Sequence, residues 1–179
     1  MNKSVLVISS SPRKGGNSDL LCDRFIDGAR QAGHNAEKIF LHNKKINYCT
    51  GCGLCVKRGI ECMQKDDMKE ILDKMIAADV IVMATPVYFY TMCAQIKTLI
   101  DRTCSRYTEI SGKEFYYIVS AADESMQAME RTIEGFRGFT SCLNDAEEKG
   151  IIYGVGAYNI GDIKGNMAMN QALEMGSKV

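Results

Sequence analysis

The sequence predicts an α/β fold, a doubly wound five-stranded parallel sheet with helices on both faces. Three observations lead there. The apolar runs at residues 5–8 and 80–84 are continuous rather than alternating, as in strands buried on both sides. Stretches with apolar residues at helical spacing separate such runs. The first run passes through a polar, glycine-containing turn at 9–18 straight into a helical pattern, a strand–turn–helix unit typical of parallel sheets.

The elements follow in order. Leu21, Phe25 and Ala29 mark a helix over 19–32, with Gly33 where a helix end favours a left-handed residue. Residues 36–41 read as an edge strand, since Glu37 and Lys38 suit a sheet margin. His34 and His42 have no partner at ligand spacing and read as surface residues. After a cysteine-rich loop at 48–63, Asp66 or Asp67 with Glu70 suggests a capping box, and Met68, Ile71, Leu72, Met75 and Ile76 form a core stripe. The strand at 80–84 ends at Pro86, which stops it and stiffens the turn. Ile96, Leu99, Ile100 and Thr103 mark the next helix, and 115–119 the fourth strand. Residues 120–122 open a helix faced by Met126, Met129, Ile133, Phe136 and Thr140. Residues 151–155 make the fifth strand, and 166–175 a closing helix ended by Gly176. A single domain over 1–179 is expected.

Composition narrows the function classes. The 22 basic and 22 acidic residues give a net charge of zero, and they are interspersed, which argues against a nucleic-acid or anionic-membrane surface. The run after Met1-Asn2-Lys3 is too short for a signal-peptide core, and no run has the length of a membrane span, so a cytoplasmic protein is expected. In a reducing compartment its eight cysteines suit metal or redox chemistry better than disulfides.

In a parallel sheet, ligands bind beyond the carboxyl ends of the strands. Three loops lie there: 9–18, 85–90 and 120–124. The first joins serines, Asn17, Arg13 and Lys14 to Gly15-Gly16 at a helix N-terminus, a setting for a compact phosphate, although an ordinary capped turn would carry the same residues. The second is a proline-stiffened turn with three aromatics, which would equally suit a strand end packed into the core. The third offers small residues whose amides can approach a flat ligand edge. A phosphate tail on a planar, polar-edged ring fits all three, and flavin mononucleotide (FMN) has that shape. The glycines lack dinucleotide-fingerprint spacing, there is no P-loop lysine arrangement, and no cysteine or aspartate stands in the phosphate turn as a phosphatase nucleophile.

At Ser10-Ser11-Pro12-Arg13, Gly16-Asn17-Ser18, Thr85-Pro86-Val87-Tyr88, Ala94-Gln95-Ile96-Lys97, Asp101-Arg102 and Gly161-Asp162-Ile163-Lys164-Gly165 the chain resembles the NADPH-dependent FMN reductases of flavodoxin-like fold. Its cysteine loop running into Asp66-Asp67-Met68 is most similar to the iron–sulfur flavoproteins. The resemblance implies strand order 2-1-3-4-5, with the FMN phosphate on Ser9, Ser11, Arg13, Asn17 and Ser18. It puts the ring and ribityl chain against Pro86, Val87, Tyr88 and Phe89, with Ala121 and Ala122 on the far side. It further implies an oxidoreductase passing electrons from NAD(P)H to a quinone, nitro or azo compound, flavin or ferric species, in a homodimer or homotetramer. Ser10 departs from a common glycine, and Cys93 from a common small residue such as serine.

Cys49, Cys52, Cys55 and Cys62 supply the thiolate count of a 4Fe-4S cluster or of a zinc ion. Leu54, Val56 and Ile60 are placed to shield such a centre, and the resemblance favours iron–sulfur, although similar loops occur in plain flavoproteins. With a cluster, the alternative reading is an electron-transfer protein served by a ferredoxin-like partner; with zinc, an interaction module on the same scaffold. Cys22, Cys104 and Cys142 read as small core hydrophobes.

Overall fold

The computed structural model describes residues 2–179. Five long strands form the parallel sheet: β1 (Ser4–Ser9), β2 (Asn35–Phe40), β3 (Val80–Tyr88), β5 (Glu114–Ser120) and β6 (Glu147–Gly154). They lie in the order β2-β1-β3-β5-β6, which is the expected order with a sixth strand added. That extra strand is β4 (Thr91–Met92), which folds back antiparallel on the end of β3, pairing Val87 with Met92 and Tyr88 with Thr91. Two residues are too few to leave a period in the sequence, so the expected count of five omits it.

Strand side chains alternate between two cores, as the two-residue period of a strand demands. Val5, Val7, Val80 and Val82 face α1 (Asn17–Gln31) and α6 (Met167–Ser177). Leu6, Ile8, Ile81 and Met83 face α3 (Met68–Ala77), α4 (Ala94–Arg102) and α5 (Glu130–Thr140). A short α2 (Leu54–Arg58) interrupts the cysteine loop. Complete burial of a side chain such as Phe25 or Ile81 stabilises by roughly 1.5–3 kcal/mol. No helix among the described residues is long and apolar enough to cross a membrane.

Several boundaries differ from expectation for identifiable reasons. Gly176 does not end the last helix, which runs to Ser177; a Cβ there would stand 2.1 Å from the Phe25 carbonyl oxygen, so the glycine is used for close packing of α6 on α1. The last long strand starts at Glu147, ahead of the apolar run at 151, because the ladder to β5 extends through solvent-facing glutamates. The capping box is not formed. Asp66 Oδ1 accepts from Met68 N–H at 3.1 Å, Asp67 accepts from Lys45 N–H at 2.7 Å, and Glu70 pairs with Lys44 instead. His34 is half-buried, with Nδ1 accepting the Lys3 N–H at 3.1 Å.

Candidate functional site

At the carboxyl end of β1 the chain enters α1 through a turn closed by its own polar groups. Ser11 Oγ donates to Arg13 O at 2.9 Å and accepts Arg13 N–H at 3.1 Å. Gly16, the N-cap of α1, is required here: a Cβ would meet Ser11 Oγ at 2.5 Å and Arg13 O at 3.0 Å. Asp19, 4% exposed, accepts Gly15 N–H at 3.0 Å and Ser9 Oγ at 2.7 Å. Lys38 reaches from β2 to bond Asp19 at 3.0 Å and Asp23 at 2.5 Å, neutralising a carboxylate beneath an anion-seeking helix end. Burial opposes the charge on Lys38, but its bonds to the two aspartates outweigh that and hold it protonated. Burial, reinforced by Asp19, pushes the Cys22 thiol well up, so that it behaves as the small core residue expected.

Beyond this turn lies a cleft of about 580 Å³ at the sheet's carboxyl edge. It brings together Ser11, Arg13, Asn17 and Ser18, then Pro86, Val87 and Tyr88 from the end of β3, then Ala121 and Ala122 after β5. These are sequence-predicted residues from all three loops. Two others lie elsewhere. Ser9 is fully buried and turned inward to Asp19, and Phe89 is 98% exposed, outside the cleft on the β3–β4 turn. Ser120, the first residue of the third loop, lines the cleft too; sequence reasoning missed the wall made by Ala157, Tyr158 and Ile160. The signal for that wall lay in the segment beginning at Gly161, which docks on Asn17: Asn17 Oδ1 accepts Gly161 N–H at 3.1 Å, and Nδ2 donates to Asn159 O at 2.9 Å and Ala157 O at 3.1 Å. Asn17 thus spends its amide on positioning the wall, while Arg13 Nη1 donates to Tyr158 O at 3.2 Å.

Ser18 Oγ is buried with no hydrogen-bond partner. An unpaired buried hydroxyl costs about 1–3 kcal/mol. It lines the cleft beside the free amides of the first helical turn, the groups a phosphate takes up. The residues present therefore fit the phosphate end of FMN, and the apolar and backbone-rich walls formed by Val87, Ala121 and Ala122 fit its flat ring.

The cysteine loop is built differently. Its two ends are tied together by a buried ion pair: Arg102 Nη1 donates to Asp66 Oδ2 at 2.6 Å and to Asn47 O at 2.6 Å, and Nη2 donates to Asp66 Oδ1 at 3.1 Å. Burial opposes ionisation of Asp66, and the bonds from Arg102, Asn47 N–H and Met68 N–H more than offset it, holding the carboxyl below its usual range. Arg102 Nε is buried without a partner of good geometry, and the guanidinium lies beside the Cys62 thiol. The Cys52 thiol is lowered chiefly by the Leu54 N–H. Among the described residues no three His, Cys, Asp or Glu side chains converge on one metal-ion position. Cys104 is exposed rather than in the core, and its thiol is pushed up first by burial and then by the neighbouring Cys55, Cys49 and Cys62; Cys142 is exposed as well. Leu54, Val56 and Ile60 are 36%, 65% and 37% exposed, so none of them is buried as a shield for a centre would be.

Fold and cleft together define a doubly wound parallel-sheet protein with an open site at its topological switch point. The sequence matches the model of the NADPH-dependent FMN reductase family over residues 4–142, and the chain belongs to that family. It is 44% identical over 95 residues to an iron-sulfur flavoprotein of Archaeoglobus fulgidus, covering 53% of this chain and 43% of that one. It is 42% identical over 99 residues to an iron-sulfur flavoprotein of Methanocaldococcus jannaschii, covering 55% and 51%. The chain thus spans about half the length of the curated relatives it matches. The fold is shared with an FMN-dependent NADH-azoreductase of Bacillus anthracis solved with FMN, at a TM-score of 0.75, 16% identity and 98% coverage of both chains. It is shared also with a Trp repressor binding protein of Bacillus subtilis, at a TM-score of 0.71, 24% identity and coverage of 98% and 99%.

Proposed function

We propose that this chain is an FMN-dependent oxidoreductase that takes electrons from NAD(P)H and delivers them to a small acceptor. The observation that carries this reading is the orphaned Ser18 hydroxyl, set among the first-turn amides of α1 in a cleft that also has a flat, apolar slot. Ser11, Arg13, Ser18 and the amides of α1 would hold the phosphate; Pro86, Val87, Tyr88, Ala121 and Ala122 would flank the ring. Held there, FMN would supply the hydride-accepting and electron-passing chemistry, so no side-chain acid or base is required. The protein would orient the cofactor: Asn17 fixes the 157–163 wall, and Pro86 stiffens the edge against which the ring would rest. Assembly as a homodimer or homotetramer, and a cytoplasmic setting, belong to the same proposal. The test is to purify the protein, record a flavin spectrum, and follow NADPH and NADH oxidation with quinone, azo and ferric acceptors. A colourless protein that takes up no added FMN would end this reading.

A second reading is favoured by the four cysteines carried on one short loop and by the names of the relatives. Cys49, Cys52, Cys55 and Cys62 would hold a 4Fe-4S cluster, one thiolate to each iron, and the chain would exchange single electrons with a ferredoxin-like protein. The donor chemistry fits, and the Arg102 N–H lying beside Cys62 suits a thiolate. Iron and sulfide at cluster stoichiometry after anaerobic purification, lost in Cys52→Ser while FMN binding persists, is the expected result. Their absence from anaerobic preparations removes this reading alone.

A further inference from the structure

The Asp19 carboxylate stands in an unexpected place for an anion site. It is buried in the first turn of α1 and takes two donors of the adjoining turn, Gly15 N–H at 3.0 Å and Ser9 Oγ at 2.7 Å. The first of these bonds shapes the turn. Gly15 has φ of 69°, a left-handed conformation that glycine adopts freely, and its tie to Asp19 fixes the backbone that carries Ser11 and Arg13. The second consequence is electrostatic. A carboxylate at a helix N-terminus sets its own negative charge in the field that would otherwise draw a phosphate.

Lys38 meets that charge from a different element. It pairs with Val7 in the β1–β2 ladder and lies on the face that Ala36 turns towards α1. A lysine on an edge strand ordinarily points to water. This one is largely covered, and it donates to Asp19 Oδ1 at 3.0 Å and to Asp23 Oδ1 at 2.5 Å. Asp23 is exposed and screened by solvent, so Asp19 is the charge that matters beneath the turn. None of the three residues lines the cleft. Between residues 9 and 23 the chain carries two cations, Arg13 and Lys14, and two anions, Asp19 and Asp23. Lys38 is the residue that makes this group net positive.

We propose that Lys38 is a specificity-determining positioning residue: by cancelling Asp19 it makes the cleft select a ligand ending in a phosphate monoester over the same ligand without one. It lies outside the cleft and acts through Asp19. The proposal rests on the FMN reading above and assigns the selectivity of that site to a residue on β2.

FMN and riboflavin differ by that phosphate alone, and both are titrated by fluorescence quenching into FMN-free wild type, Lys38→Met, Asp19→Asn and the double variant. Lys38→Met is expected to weaken FMN about tenfold and to leave riboflavin within about twofold, because an uncompensated carboxylate opposes only the charged ligand. In the double variant the carboxylate is gone while asparagine still offers an acceptor to Gly15 N–H. FMN affinity there is expected to return to within about threefold of wild type. A residue that merely held β2 against α1 would weaken both flavins together, and neutralising Asp19 would restore neither. Equal losses for the two flavins, unchanged FMN affinity in Lys38→Met, or no recovery in the double variant overturns the proposal. If Lys38→Met does not fold, Asp19→Asn and the double variant decide. FMN affinities within about threefold of each other uphold action through Asp19, and a larger gap overturns it. If wild type binds neither flavin, the cofactor reading falls separately, and thermal melting in inorganic phosphate decides the role of Lys38. A rise in melting temperature that Lys38→Met loses and the double variant regains upholds it, and any other pattern overturns it.

Discussion

The turn before α1 and the cysteine loop both present chemistry-bearing side chains, yet they are organised in opposite ways. In the turn, Ser9, Ser10, Ser11 and Ser18 are at most 3% exposed, and all but Ser18 spend their hydroxyls on the chain itself. In the loop, Tyr48, Val56 and Met63 are 77%, 65% and 66% exposed, and the firm anchor is the Asp66–Arg102 pair, which also bonds Asn47 and so closes the loop's two ends. One region is preorganised around its unpaired hydroxyl and first-turn amides; the other has its thiols on one loop without three of them converging on a metal-ion position, and its apolar side chains face water. Ligand affinity follows preorganisation, so the cleft should bind FMN whatever the state of the thiols.

The largest effect is expected from removing the loop's anchor. Asp66→Ala leaves Arg102 buried without its carboxylate and should lower stability by about 3–5 kcal/mol in urea unfolding. The folded fraction should keep its FMN affinity; a parallel loss of affinity would show that loop and cleft are one unit. Ser18→Ala separates binding from stability in the other region. It removes a hydroxyl that is unpaired in the free protein and would donate to a charged phosphate, worth about 1.5–3 kcal/mol, so FMN should bind about ten- to a hundredfold more weakly. Stability of the FMN-free protein should stay level or rise; a fall would mean that the hydroxyl is satisfied within the fold. The smallest effect is on pH dependence. The Asp66 carboxyl is held below its usual range, so its contribution is complete above the ordinary carboxylate range and is lost as pH falls through the depressed value. Acid unfolding of Asp66→Asn should therefore show a shallower slope on the acid side than wild type, and equal slopes would contradict the assigned role.

The same contrast decides what was legible in the sequence. Ser11, Arg13, Asn17, Ser18, Pro86, Val87, Tyr88, Ala121 and Ala122 converge on one cleft because each follows the end of a strongly apolar strand, and strand ends on one edge of a parallel sheet are neighbours by topology. Ser9 stands outside the cleft because a residue still on the strand obeys the strand's alternation and turns inward. Phe89 stands outside the cleft because a two-residue turn reverses the chain one position after Tyr88. The 157–160 wall has no periodic signal; it is placed by long-range bonds to Asn17. Cys104 meets Cys55 through the packing of α2 against the turn at Thr103–Ser105, a contact between segments whose local patterns are unrelated.

The most direct test of the central claim is a fluorescence titration of FMN into the FMN-free protein, run on wild type and on a variant with Cys49, Cys52, Cys55 and Cys62 all changed to serine. Saturable quenching at one FMN per chain, with closely similar dissociation constants for the two proteins, is the predicted result. No saturable binding by wild type, or binding that disappears with the thiols, would contradict a cleft that holds the cofactor by its own preformed geometry.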